Sequence, residues 1–172
     1  MVTRDTSNPW PAEHLWIAGD GALARSVLRL AGMVDFEVSL FDRESDLANC
    51  GSDFTRSKLP ATPTLGLVLA DGLEQQVQVL GEWVTGNFAF LGLLANRARR
   101  AAIFSRLAEV QFSSADKLDR LVKPLAPGLG TVSTEEMSIS IVSQLIQNRC
   151  DRRISHEAAS RIRSPSLIKA RA

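Results

Sequence analysis

Apolar residues fall in short blocks, and the spacing within each block changes along the chain. Residues 14–18 form a compact apolar run that stops at Gly19, the pattern of a buried strand. Over residues 22–31 the period becomes helical: Leu23, Val27 and Leu30 line one stripe, with Ala24, Leu28 and Ala31 beside it. Arg25, Ser26 and Arg29 fall on the opposite side, and Gly32 suits a helix stop. The same reading predicts strands over 36–41, 65–69 and 88–93, and helices over 73–84 and about 96–108. Residues 43–63 are polar, with Gly51, Pro60 and Pro63, and read as a connection. A short helix is expected near 115–122, then a proline- and glycine-bearing loop over 124–134. The last helix is expected from Glu135 to about Asn148, with Met137, Ile141 and Leu145 as its stripe. Ser133 and Glu136, three residues apart, form a capping box in which each side chain satisfies the other's free backbone donor.

Alternating strands and helices predict an α/β domain: a mostly parallel sheet, covered on both faces and joined by right-handed crossovers. The division expected is a lead-in over 1–13, one domain over 14–148 and a basic tail over 149–172. That tail carries Arg149, Arg152, Arg153, Arg161, Arg163, Lys169 and Arg171 against only Asp151 and Glu157.

Composition narrows the function classes. With 45% hydrophobic and 23% charged residues in 172, the chain is globular and can bury a sizeable core. A formal charge of +1 gives no overall attraction to nucleic acid, so such a partner is not expected. The opening residues lack a basic stretch followed by an apolar one, and no apolar run approaches the roughly 20 residues of a membrane span. The expectation is therefore a cytoplasmic protein without a membrane segment. Cys50 and Cys150 lie far apart, with no spacing for a zinc site or redox pair. His14 and His156 have no partner at a telling spacing. No metal site and no catalytic residue are expected.

The glycine turn carries the chemistry. Gly19, Asp20, Gly21, Ala22, Leu23 and Ala24 have the form G-x-G-x-x-A, directly after a strand and opening a helix. Gly19 permits the tight turn, Gly21 lets backbone approach a pyrophosphate, and Ala24 allows close helix–strand packing. The free amides at the helix start favour a phosphate. Asp42, at the end of the second strand, can accept hydrogen bonds from ribose hydroxyls. Arg43 either favours a 2′-phosphate or is a solvated loop charge. These features together predict a Rossmann-like three-layer α/β/α fold. Arg97 falls near the C-terminal edge of the sheet, where such folds bind ligands, whereas Arg99, Arg100 and Arg106 read as an exposed helix face. The same turn also fits a domain that has lost its ligand.

Four segments resemble the C-terminal Rossmann domain of the XdhC/CoxI family. They are residues 15–24, Phe41-Asp42-Arg43, residues 90–100 and residues 124–141, the last ending Thr134-Glu135-Glu136-Met137-Ser138-Ile139-Ser140-Ile141. The resemblance spans about 15–148. It implies an accessory or maturation factor for a molybdenum hydroxylase of the xanthine or carbon monoxide dehydrogenase type. Such a factor binds the molybdenum cofactor, a molybdopterin that can carry a nucleotide, and aids its sulfuration or insertion. It further implies that Asn96 and Arg97 contact phosphate or pterin. Departures are clear: Leu69-Ala70-Asp71-Gly72 stands where the family commonly has a Thr-His segment, and Ala95-Asn96 replaces its Gly-Ser. The alternatives are an NAD(P)- or FAD-dependent oxidoreductase, or a scaffold without ligand. Against the oxidoreductase, the chain has no tyrosine and no obvious proton donor. A client enzyme is the expected partner, and a homodimer is left open.

Overall fold

The structure, a computed structural model, describes residues 12–41, 62–110, 118–119, 121–126 and 132–163. In chain order these give β1 (Glu13–Ala18), α1 (Ala22–Met33), β2 (Phe36–Phe41), β3 (Thr64–Val68), α2 (Leu73–Trp83), β4 (Phe88–Leu93), α3 (Arg97–Val110), β5 (Val122–Pro124) and α4 (Thr134–Arg163). The strands form one sheet in the order β2-β1-β3-β4-β5, and every pairing is parallel. Ile17 sits opposite Leu40 on one side and Leu67 on the other, so β1 lies inside the sheet.

Each face of the sheet carries its own core because side chains alternate along a strand. On one face Leu15, Ile17, Leu65 and Leu67 pack under Val27 and Ala31 of α1 and Ile141 and Leu145 of α4. On the other, Val68, Leu91 and Leu93 pack under Val79, Leu80 and Trp83 of α2 and Ile103, Phe104 and Leu107 of α3. All residues of β3 are buried, as expected of a parallel strand covered on both sides. Each fully buried Leu or Ile contributes about 1.5–3 kcal/mol, so the two cores provide most of the favourable folding free energy. The three-layer α/β/α reading therefore holds.

Two buried hydroxyls mark the crossing of α1 and α4. Ser138 Oγ donates to the Glu135 carbonyl at 2.8 Å, which leaves Ser26 as donor in the 2.9 Å bond between Ser26 and Ser138. Both hydroxyls are thereby satisfied away from water. The expected capping box forms at the start of α4: Ser133 N donates to Glu136 Oε2 at 2.8 Å and Glu136 N to Ser133 Oγ at 3.2 Å.

Two elements differ from the sequence reading. The segment expected as a short helix over 115–122 has helical backbone at 118, 119 and 121, but Val122 opens the edge strand β5. Lys123 and Pro124 disguise that strand, and proline is tolerated there because an edge has free sides. The final helix does not fade after Asn148 but continues to Arg163. Arg149 Nη1 donates to the Val34 carbonyl at 2.9 Å, and its guanidinium lies 4.5 Å from the Phe36 ring centre. Arg152 pairs with Glu13 at 2.8 Å and bonds Asn148 at 3.0 Å. Tertiary contacts of this kind replace the missing apolar stripe.

Candidate functional site

Strand order places the site. From β1 the chain moves outward to β2, then returns to β3 on the other side of β1. Ligands bind parallel sheets at such reversal points, outside the carboxyl ends of the strands. Here that crevice is bordered by residues 19–21 after β1 and 69–72 after β3.

The two glycines of the turn serve different ends. Gly19 has φ +151°, and an added Cβ would lie 3.0 Å from the Leu69 carbonyl carbon and 3.1 Å from Ala70 N. A side chain is excluded there by backbone, which cannot give way. Gly21 is the N-cap of α1, with φ −74° and no side-chain capping bond. An added Cβ there would meet only Asp71 Oδ2, at 3.9 Å. The protein's own packing thus demands glycine at 19 but leaves the space over Gly21 open, beside the uncapped amides of α1. Ala24, in the first turn of α1, is 1% exposed and packs in the core on that face of the sheet. Leu23 packs partly against the same core, whereas Asp20 and Ala22 are exposed.

Backbone bonds continue past the strand ends and hold this edge together. Gly19 N donates to the Phe41 carbonyl at 3.0 Å, Leu69 N to Ala18 at 2.8 Å, Leu94 N to Val68 at 3.0 Å and Leu125 N to Leu93 at 3.1 Å. Gln76, 2% exposed, adds a side-chain clasp: its Nε2 donates to the carbonyls of Ala70 at 2.8 Å and Leu94 at 3.1 Å. Arg99 completes it, with Nε donating to Gln76 Oε1 at 2.6 Å and Nη2 to the Asp71 carbonyl. One amide therefore ties the loops after β3 and β4 to α2.

With this geometry in view, a family model described as the XdhC Rossmann domain matches residues 15–145. The chain belongs to that family. No curated protein matches it. A solved structure of a xanthine dehydrogenase from Bacillus halodurans is similar in fold, with a TM-score of 0.67 at 20% identity. The match covers 90% of this chain and 50% of that one, so this chain spans about half the length of that relative.

Within this XdhC Rossmann domain, the remaining predicted site residues divide. Asn96 is exposed and caps α3, its Oδ1 accepting from Arg99 N at 2.9 Å; its side-chain amide is thus partly committed. Arg97 is exposed beside it, and among the described residues it has no hydrogen bond or ion pair. Asp42 and Arg43 lie outside the described residues. Cys50 also lies outside them.

The arginines expected to form an exposed helix face are paired. Arg99 joins the Gln76 clasp; Arg100 contacts Asp119 at 2.9 Å and the Val122 carbonyl at 2.5 Å; Arg106 contacts Glu74. The Arg100 guanidinium also lies 4.7 Å from the Phe104 ring centre. Among the described residues no His, Cys, Asp and Glu group is arranged to hold a metal ion, and no helix is long and apolar enough to cross a membrane. Sequence reasoning missed Gln76 and Asp71. Gln76 is legible in retrospect as a polar residue on the Leu73–Val77–Leu80 stripe, whereas Asp71 is brought to the turn only by the pairing of β3 with β1.

Proposed function

We propose that this chain is an accessory module for a molybdenum hydroxylase and seats a nucleotide-bearing pterin cofactor on its glycine turn. The observation that carries the reading is the contrast at the turn: Gly19 is fixed by packing, while Gly21 has open space above it. A glycine kept where the fold leaves room for a side chain fits a place where a ligand's phosphates come close to backbone. The uncapped amides of Ala22, Leu23 and Ala24, at the positive end of α1, would hold those phosphates. Asp42 would take ribose hydroxyls, and Arg97, with Asn96 beside it, would meet phosphate or pterin. The bound cofactor would bring the molybdenum and pterin chemistry; this chain's residues would bind it and shield it. Membership in the XdhC family and the fold shared with the Bacillus halodurans protein support a xanthine dehydrogenase-type enzyme as client. A cytoplasmic setting fits that role.

The test is native mass spectrometry of the purified chain, alone and with molybdopterin dinucleotide, NAD, NADP, FAD, AMP and CTP. Retention of the pterin dinucleotide, lost in Gly21→Val, is the expected result. Selective NAD(P) or FAD binding would replace the reading with an oxidoreductase. No adduct with any of them would leave a scaffold.

A further inference from the structure

Helix α4 is 30 residues long, about 45 Å at the rise of an α-helix, and its own sheet supports only the first part. Arg152 reaches Glu13, the first residue of β1, and residues 154–158 beyond it are all exposed. A short helical stretch without tertiary neighbours is marginal in water. The outward side of α4 is patterned along its length. Ile139, Ser143, Gln147, Cys150, Ile154 and Ala158 are exposed and recur at steps of 4, 4, 3, 4 and 4, an 11-residue repeat that keeps them on one line of the helix. None of the six is charged. They lie opposite the buried Ile141, Val142 and Leu145, yet Ile139 and Ile154 are 60% and 66% exposed. A shallow hollow of about 650 Å³ follows the first half of this line, bordered by Glu136, Ile139, Ser143 and Gln147.

We infer that this line is a docking surface for a second copy of the chain, the two α4 helices packing antiparallel about a two-fold axis. The pattern of large and small residues selects that occupant. The midpoint of α4 falls between Asn148 and Arg149, and an axis there sets Ile139 opposite the partner's Ala158 and Ser143 opposite the partner's Ile154. Each bulky side chain then meets a small one, as close helix packing requires. In a parallel pair in register, each isoleucine would meet its own copy and each serine likewise, so bulk would face bulk and gaps would face gaps. Charge selects the same direction. Glu135 and Glu136 stand in the first turn of α4, and Arg161 and Arg163 fall in its last. Antiparallel packing brings each acidic end to the partner's basic end, twice by symmetry, and opposes the helix dipoles favourably. A single pair of helices is a small interface, so association depends on concentration. The inference is independent of the cofactor seat.

The experiment is sedimentation velocity on the full chain from low micromolar to near-millimolar concentration, joined to cross-linking with a short bismaleimide. The expected result is a monomer–dimer equilibrium that Ile154→Glu weakens about tenfold or more, because it buries a charge in the contact. Ala102→Glu, on α3 across the sheet, leaves the equilibrium unchanged. Both positions are exposed, so both variants keep the Tm of the parent chain. In a Cys50→Ser chain, Cys150 links two copies, since the axis sets the two thiols about 4.5 Å apart along the helices. With Cys150→Ser added, Ser143→Cys does not link, because antiparallel packing separates its two copies by about 16 Å. A monomer at every concentration overturns the surface, as does a dimer that Ile154→Glu weakens no more than Ala102→Glu. Linking through Ser143→Cys overturns the antiparallel arrangement.

Discussion

The arginine-rich helices and the glycine turn invert what their sequences advertise. Arg99, Arg100, Arg106, Arg149 and Arg152 look like a reserve of positive charge for a partner, yet each is bonded within the domain. The turn carries little formal charge, yet Asp71 and Arg97 on its borders stand without ion pairs among the described residues. Charge counted along a sequence is therefore a poor guide to charge available for binding. Long cationic side chains are readily consumed by nearby carbonyls and rings. Asp71, after β3, and Arg97, after β4, both follow the C-terminal ends of strands.

Substitutions can break this contrast. The largest effect is expected at Gly19→Ala, where positive φ and the backbone of Leu69 and Ala70 together cost about 3 kcal/mol. That would lower Tm by roughly 10 °C. Gly21→Ala in the same turn should change stability by under about 1 kcal/mol, and equal losses at both positions would dissolve the distinction between packing and seat. Next comes Arg149→Ala. Losing the bond to the Val34 carbonyl and the stacking on Phe36 should cost about 2 kcal/mol in chemical denaturation. Arg97→Ala should stay within about 0.5 kcal/mol; a comparable loss there would mean that Arg97 is structural too.

The smallest effect concerns the start of α4. The Ser133 backbone amide and hydroxyl bonded to Glu136 hold its carboxyl below the ordinary glutamate value. A folded pKa lower than the unfolded one stabilises the fold above the unfolded pKa, about 4.3, and that contribution is lost as pH falls through the folded value. The stability difference between wild type and Glu136→Gln should accordingly be constant near neutrality and shrink in acid. A difference that grows on acidification would contradict the capping box.

Where periodicity had a physical cause the sequence reading was sound. Four strands, three helices, the capping box and the glycine turn followed from burial patterns that local spacing encodes. Strand β5 escaped because its three residues, Val-Lys-Pro, bury only Val122. The second half of α4 escaped because polar side chains hold it: Gln147 to Asp151 at 2.9 Å, Arg152 to Asn148 at 3.0 Å, and the two arginines reaching across to β1, β2 and the α1–β2 turn. Strand order was not legible either, since no spacing says that β3 pairs with β1. For the same reason Asp71, distant in sequence from Gly21, could not be placed beside it. Gln76 was open to discovery, because a polar side chain in a buried stripe must find partners.

The row of backbone bonds that continues past the strand ends bears on the heat signature of anything that binds there. From Phe41 across to Leu125 the floor of the crevice is already ordered, so a ligand has few main-chain torsions left to freeze at that floor. The entropy lost on association then falls chiefly on the ligand and on the side chains at the rim, as in other preorganised sites. Affinity at this edge is accordingly governed by the flexibility of what arrives more than by the floor that receives it.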